Sequence, residues 1–185
     1  MDAAVACFRR RGFHQATMAE ICAEADISAG ALYRYFGSKT EIIAAIAEDK
    51  RDEGDATFAR AAEREGLIEA LVRSARGFFD KIAEGDSALI AEIISEGIRD
   101  DAIGEQLKQI DQRSVVVMVE AIKAAQRRGE VDSTLDPTIS AETLFAAIEG
   151  IGLRRAFQRT TAAEEAVAQF RTLAERYLRP VHEQA

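Results

Sequence analysis

Residues 17–39 read TMAEICAEADISAGALYRYFGSK, with the nine residues 28–36, SAGALYRYF, at their centre. Thr17 and Glu20 have the spacing of a capping box, in which the threonine oxygen accepts a backbone N–H and the glutamate reaches back. They predict a helix with Ile21 and Ala25 facing inward and ending near Ala25. Asp26 is a residue that tolerates the left-handed turn, Ile27 is placed to fill the angle, and Ser28 caps the next helix. Two short helices joined in this way predict a helix-turn-helix. On the second, Ala29, Gly30, Tyr33 and Arg34 fall within an arc of about 140° at about 100° per residue, while Leu32 points elsewhere. Small residues let a backbone approach a groove, and a phenol or guanidinium then reaches phosphates or base edges. So short a helix is not stable alone and must be held by its neighbours.

The flanking residues supply those neighbours. Residues 2–11 place Ala4, Val5, Cys7 and Phe8 on one face and end in Arg9, Arg10 and Arg11 before Gly12. Cations complement the dipole at a helix C-terminus and glycine closes it, which is the first reading of the arginine triplet; phosphate contact is the second. Ser38 and Glu41 repeat the capping-box spacing and open a long helix through Ile42, Ile43 and Ile46. Lys39 stands in the first turn, where the dipole disfavours a cation, and this points to a phosphate docking beside the free N–H groups.

Downstream, the apolar residues recur at helical spacing. The stripes are Leu67, Leu71, Ala75, Phe78 and Ile82; Leu89, Ile90, Ile93, Ile94 and Ile98; and Ile103, Leu107, Ile110, Ser114, Val117, Ala121 and Ala124. After a polar link, Asp136-Pro137 starts a helix carrying Ile139, Leu144, Ile148, Ile151 and Phe157, and a third capping box, Thr161 to Glu164, opens the last, with Val167, Phe170, Leu173, Ala174, Tyr177 and Leu178. With 2 prolines and no alternating strand pattern, the chain reads as all-α.

The net charge of -8 argues against general affinity for nucleic acid, which needs a basic surface. Its distribution is uneven. Up to residue 46, five basic residues (Arg9, Arg10, Arg11, Arg34, Lys39) balance five acidic ones (Asp2, Glu20, Glu24, Asp26, Glu41), so the rest of the chain carries the whole excess and the first part is left as the nucleic-acid contact. Cys7 and Cys22 fall on inward helix faces and read as small core residues. No cluster of metal-ligating residues, activated nucleophile or Gly-rich phosphate loop is present in the sequence, so neither an enzyme, a metal nor a cofactor is expected. No apolar run approaches the ~18 residues of a membrane span, so the expectation is a cytoplasmic protein with no membrane partner.

The order of Ala4, Phe8, Gly12, Thr17, Ile21, Ala25, Ser28, Gly30, Leu32, Tyr33, Tyr35, Phe36 and Lys39, and above all the run LYRYFGSK, resembles the TetR/AcrR family of transcriptional repressors. The likeness covers about a quarter of the chain. It departs at Asp26, where the family usually has glycine, and it starts at what corresponds to the middle of the family's first helix. It implies a three-helix DNA-binding domain, residues 1–46, and a helical ligand-binding and dimerisation domain, residues 47–185. Carried over, Thr17 and Lys39 would touch phosphates, Ser28, Ala29, Gly30 and Arg34 would face the major groove, and Tyr33 and Tyr35 would contact the backbone.

The resemblance also implies a homodimer paired through the last two helices, binding palindromic double-stranded operator DNA. Gly150 and Gly152 permit close approach there, while Leu144, Ile148, Phe170, Leu173 and Tyr177 offer apolar area. A small-molecule effector, largely apolar, is expected among Phe78, Phe79, Ile90, Ile94, Ser114, Met118 and Phe145, and would release the repressor by population shift. The alternative is a helical homodimeric binding module of the same fold that binds DNA weakly or nonspecifically.

Overall fold

A computed structural model describes residues 1–158 and 162–180, and among them helices are the only regular elements. They are α1 (Asp2–Arg11), α2 (Met18–Ala25), α3 (Ala29–Tyr33), α4 (Lys39–Glu65), α5 (Leu67–Lys81), α6 (Ser87–Arg99), α7 (Asp101–Arg127), α8 (Pro137–Phe157) and α9 (Ala163–Tyr177), with a π-type turn at Ile82–Asp86 between α5 and α6. The local signals act where they stand. Gly12 ends α1 at φ 78°, Thr17 and Glu20 form the complete capping box of α2, and Asp26 adopts the left-handed conformation at φ 53°, ψ 45°. Asp136 caps α8, accepting the N–H groups of Thr138 and Ile139 at 2.8 and 2.9 Å, with Pro137 in its first turn. The Ser38 hydroxyl accepts the Glu41 N–H at 3.2 Å, but Glu41 returns to the Gly37 N–H, at 2.8 Å, one residue before the expected partner. The capping box expected at Thr161 lies outside the described residues.

The chain divides into two compact units, and the divisions fall inside α4, in the π-type turn and inside α7. The first comprises Met1–Arg51 and Gly85–Asp111. Its core gathers Ala4, Cys7 and Phe8 of α1, Phe13 and Ala16 of the following corner, Ile21 and Cys22 of α2, Leu32 of α3, Ile42, Ile43 and Ile46 of α4, and Leu89 of α6. Burial pushes the Cys7 thiol up from its ordinary pKa, so it stays protonated and packs as a small apolar group. Of the α6 stripe only Leu89 is buried, with Ile90 and Ile93 half-buried; Ile98 is 79% exposed, because α6 meets this core along one narrow edge.

The second unit comprises Asp52–Glu84 and the described residues from Gln112 onward. In it α5 lies along α9, and both pack on α8. Leu67, Leu71, Phe79, Met118, Ile122, Leu144, Ile148, Phe170 and Leu178 are buried together. On α7 the buried face passes through Met118, Ile122 and Ala125, leaving Val117 and Ala121 at its margin. Ile139 and Phe157, expected inward on α8, are 60% and 88% exposed.

Candidate nucleic-acid interface

The recognition segment is held as a short helix by three local devices. The Ser28 hydroxyl accepts the Ala31 N–H at 3.2 Å, the Leu32 N–H reaches the Ser28 carbonyl at 3.1 Å, and the Leu32 side chain is buried in the first core. The turn from α2 is closed by backbone: the N–H groups of Asp26 and Ile27 return to the carbonyls of Ala23 and Cys22. Ile27 does not fill the angle as expected. It is 42% exposed, since the left-handed residue before it has already closed the turn. The outer face then presents Ser28, Ala29, Gly30, Tyr33, Arg34 and Tyr35, all exposed, with Thr17 exposed at the start of α2. A Cβ on Gly30 would meet nothing within 4 Å. Helix α3 ends at Tyr33, so Arg34 and Tyr35 stand on the turn that follows it.

The charges of this unit are mostly spent within it. Arg9 pairs with Asp86, Arg10 with Glu24 at 2.8 Å, and Arg11 with Glu20 at 3.2 Å. The Thr17 N–H, donating to Glu20 at 3.0 Å, holds that carboxyl below the ordinary glutamate range, with the Thr17 hydroxyl and Arg11 adding to the effect. Lys39 Nζ donates to the carbonyls of Phe13 at 2.6 Å and His14 at 3.0 Å and lies 4.9 Å from the centre of the Phe13 ring. Two carbonyls and an aromatic face thus answer the cation that the helix dipole disfavours, with no phosphate needed. Among the described residues, Arg34 is the cationic side chain of 1–46 that has no ion pair or hydrogen bond within the chain.

A second set of residues, not evident from local sequence, surrounds the corner between α1 and α2. Glu92 of α6 accepts the Phe13 N–H at 2.7 Å, and Glu96 Oε1 lies 3.1 Å from His14 Nε2. Their i, i+4 spacing was visible, but on its own it reads as an ordinary solvated helix face.

The other expected sites fall as follows. Ile90 and Ile94 belong to the first unit, whereas Phe78, Phe79, Ser114, Met118 and Phe145 belong to the second. There Phe79, Ser114 and Met118 are buried, and Ser114 donates to Asp55 at 2.7 Å. Ile94 is 37% exposed. A surface hollow of about 490 Å³ in the second unit is lined by Ala62, Leu67, Ile68, Glu69, Arg128 and neighbouring residues, none from this set. Of the residues expected to pair two copies, Leu144, Ile148, Gly152 and Phe170 lie in the chain's own core. Gly152 makes room for Phe78, whose ring atom Cε1 would stand 2.6 Å from a Cβ there. Tyr177 is half-buried and its hydroxyl is 3.3 Å from Ser140 Oγ, leaving Leu173 exposed. What α8 offers outward is a mixed face on which Ile139, Thr143, Ala146, Gly150 and Phe157 are exposed beside Glu142 and Arg154, with Leu153 half-buried.

Comparison with known proteins agrees with this architecture. Residues 1–46 match the family described as bacterial regulatory proteins, tetR family, and residues 67–179 match the BetI-type transcriptional repressor C-terminal family. The HTH-type transcriptional regulator UidR of Escherichia coli K12 is 28% identical over 151 residues, spanning 82% of this chain and 76% of that protein. The solved structure of Salmonella enterica GusR superposes with a TM-score of 0.81 at 29% identity, covering 96% of this chain and 92% of its own. The Bacillus subtilis regulator FadR, solved in complex with stearoyl-CoA, shares the fold with a TM-score of 0.78 at 19% identity over 98% of this chain and 97% of its own. With an exposed helix-turn-helix followed by a helical C-terminal part that matches over most of its length, this chain belongs to the TetR family of bacterial transcriptional regulators.

Proposed function

We propose that this regulator is a ligand-responsive repressor that binds palindromic operator DNA as a homodimer in the cytoplasm. Residues 1–46 act as the DNA-binding domain and 47–185 as the ligand-binding and dimerisation domain. The observation that carries the reading is the outer face of α3 and its flanking turn, where Tyr33, Arg34 and Tyr35 are exposed beside Ala29 and Gly30. The two small residues admit the helix to the major groove, Arg34 offers a cation with no internal partner, and the tyrosines reach the sugar-phosphate backbone. Ser28 and Thr17 lie where their hydroxyls reach DNA at the two helix starts. Lys39 acts chiefly by fixing the corner at Phe13 and His14, its backbone N–H remaining available to a phosphate.

The pairing surface is the outward face of α8, with Leu173 of α9, since Ile139, Phe157 and Leu173 are apolar side chains of these two helices that the chain's own core leaves exposed. The effector site is placed among Phe78, Phe79, Ser114, Met118 and Phe145, with Ser114 and Asp55 as its polar pair, and takes a largely apolar small molecule. Bound there, the effector favours a dimer whose recognition helices are mis-spaced for the operator.

Pairing of the arginine triplet within the unit also favours the second reading, a dimeric module of the same fold with weak, nonspecific DNA affinity. A gel-shift titration on the DNA upstream of the chain's own reading frame separates the two. The repressor reading expects a complex that survives competitor DNA, and a smear lost to any competitor contradicts it.

A further inference from the structure

We infer that Glu92 is a positioning residue for operator binding: from α6 it fixes the corner on which α2 and the recognition helix are mounted, without touching DNA. The inference rests on the repressor reading above for its consequence, and on the first unit alone for its geometry.

Three successive peptide groups at this corner are gripped by opposite charges. The Phe13 N–H donates to Glu92 Oε2 at 2.7 Å, and the Phe13 and His14 carbonyls accept from Lys39 Nζ at 2.6 and 3.0 Å. Hydrogen bonds to ionised groups are about twice as strong as neutral ones. The Phe13 ring is 5% exposed and 5.5 Å from Phe8, so the corner cannot turn without disturbing the core. Gly12 is shaped for the carboxylate: at φ 78° it has no side chain, and a Cβ would stand 3.0 Å from Glu92 Oε1. One turn further along α6, Glu96 approaches His14, and at the start of α6 Asp86 pairs with Arg9, so three acids of one short segment engage the end of α1 and its corner.

The other end of the chain of bonds is Lys39, the first residue of α4, separated from α3 by five residues. Helix α2 begins at Met18, four residues after His14, and carries α3 through the turn at Asp26. The corner therefore ties α6 to both ends of the helix-turn-helix. A carboxylate cannot be attracted to phosphate, so any loss of operator affinity on removing it comes from misplacement of α3 and leaves the counterion term unchanged.

The test uses the full chain carrying Glu92→Ala, Glu92→Gln or Glu92→Asp. Operator Kd is read by fluorescence anisotropy at several salt concentrations, and backbone amide exchange is read at Phe13 and at Leu32 of α3. Expected is an affinity about tenfold lower for Glu92→Ala, the effect of losing one charge-assisted hydrogen bond at a partly buried N–H, with an unchanged salt slope. Exchange at both Phe13 and Leu32 accelerates. Glu92→Gln, whose amide oxygen still accepts the N–H, recovers most of the affinity and protection, and the shorter Glu92→Asp does not. Undiminished affinity in Glu92→Ala, an altered salt slope, recovery by Asp but not Gln, or faster exchange at Phe13 with Leu32 unchanged would each overturn the inference. If the unsubstituted chain forms no operator complex, the repressor reading fails, and the exchange at Leu32 still decides whether Glu92 positions α3.

Discussion

The internal pairing of this unit's cations makes a quantitative prediction about salt. Binding to duplex DNA releases counterions, and the logarithm of the association constant falls with the logarithm of salt concentration at a slope of about 0.9 per phosphate neutralised. Arg9, Arg10 and Arg11 already face Asp86, Glu24 and Glu20, and Lys39 is bound to two carbonyls, so Arg34 is the cation left for DNA in each copy. A dimer then neutralises about two phosphates, giving a slope of about −1.8 and a loss of about 12-fold in affinity between 50 and 200 mM salt. Had all five basic residues of 1–46 been free in both copies, the slope would be about −9 and the loss on the order of 10⁵-fold. The assay is anisotropy titration across a salt series with the unsubstituted chain, Arg34→Ala and Lys39→Ala. Arg34→Ala should bring the slope close to zero, and Lys39→Ala should weaken binding with the slope unchanged. A slope steeper than about −5 in the unsubstituted chain would contradict this internal pairing, because it requires the arginines to leave their carboxylates for DNA.

Gly152→Ala places a methyl group against Phe78 and should cost about 1–3 kcal/mol of overpacking, read as a lower denaturation midpoint with unchanged dimerisation. Phe157→Glu alters a side chain that is 88% exposed, and should leave the melting of the single chain within about 0.5 kcal/mol while dissociating the dimer in sedimentation equilibrium. Glu20→Gln tests the α2 cap by pH. Because the folded Glu20 carboxyl is held below its ordinary pKa, its contribution is present above the unfolded value of about 4.3 and disappears as pH falls through the lower folded value. The stability gap between the two chains should therefore be open at pH 7 and narrow as pH falls below the unfolded value, closing once the folded carboxyl is itself protonated; a gap independent of pH would contradict the assignment.

What could be read from the sequence was what neighbouring residues decide among themselves. The Thr17–Glu20 box, the Ser28 cap, the left-handed Asp26 and the glycine end of α1 each depend on spacings of a few residues, and each stands where the pattern placed it. The recognition helix was legible for the same reason. The choice of which apolar stripe meets which partner was not. Ile98, Ile139 and Phe157 have the spacing of core residues and face outward, while Leu144 and Phe170 are buried in their own chain, because helical periodicity specifies a face without saying what covers it. The charges were harder still. Lys39 reaches carbonyls 25 and 26 residues away and Arg9 a carboxylate 77 residues away, so neither partner could be inferred from its surroundings. The family likeness named residues expected to face DNA, but it could not show that most of the unit's cations are occupied.

The most direct measure of whether α3 reads DNA is selection of bound duplexes from a randomised pool by the full chain and by Gly30→Ala. Gly30 has open space around it, so the added methyl group should leave the fold intact and alter only what the outer face of α3 accepts. The unsubstituted chain should enrich a palindrome of two half-sites about one helical turn apart, and Gly30→Ala should enrich a different half-site or bind the same one more weakly. Failure of the unsubstituted chain to enrich any sequence, or identical selection and affinity from both chains, would contradict the claim that this helix reads DNA.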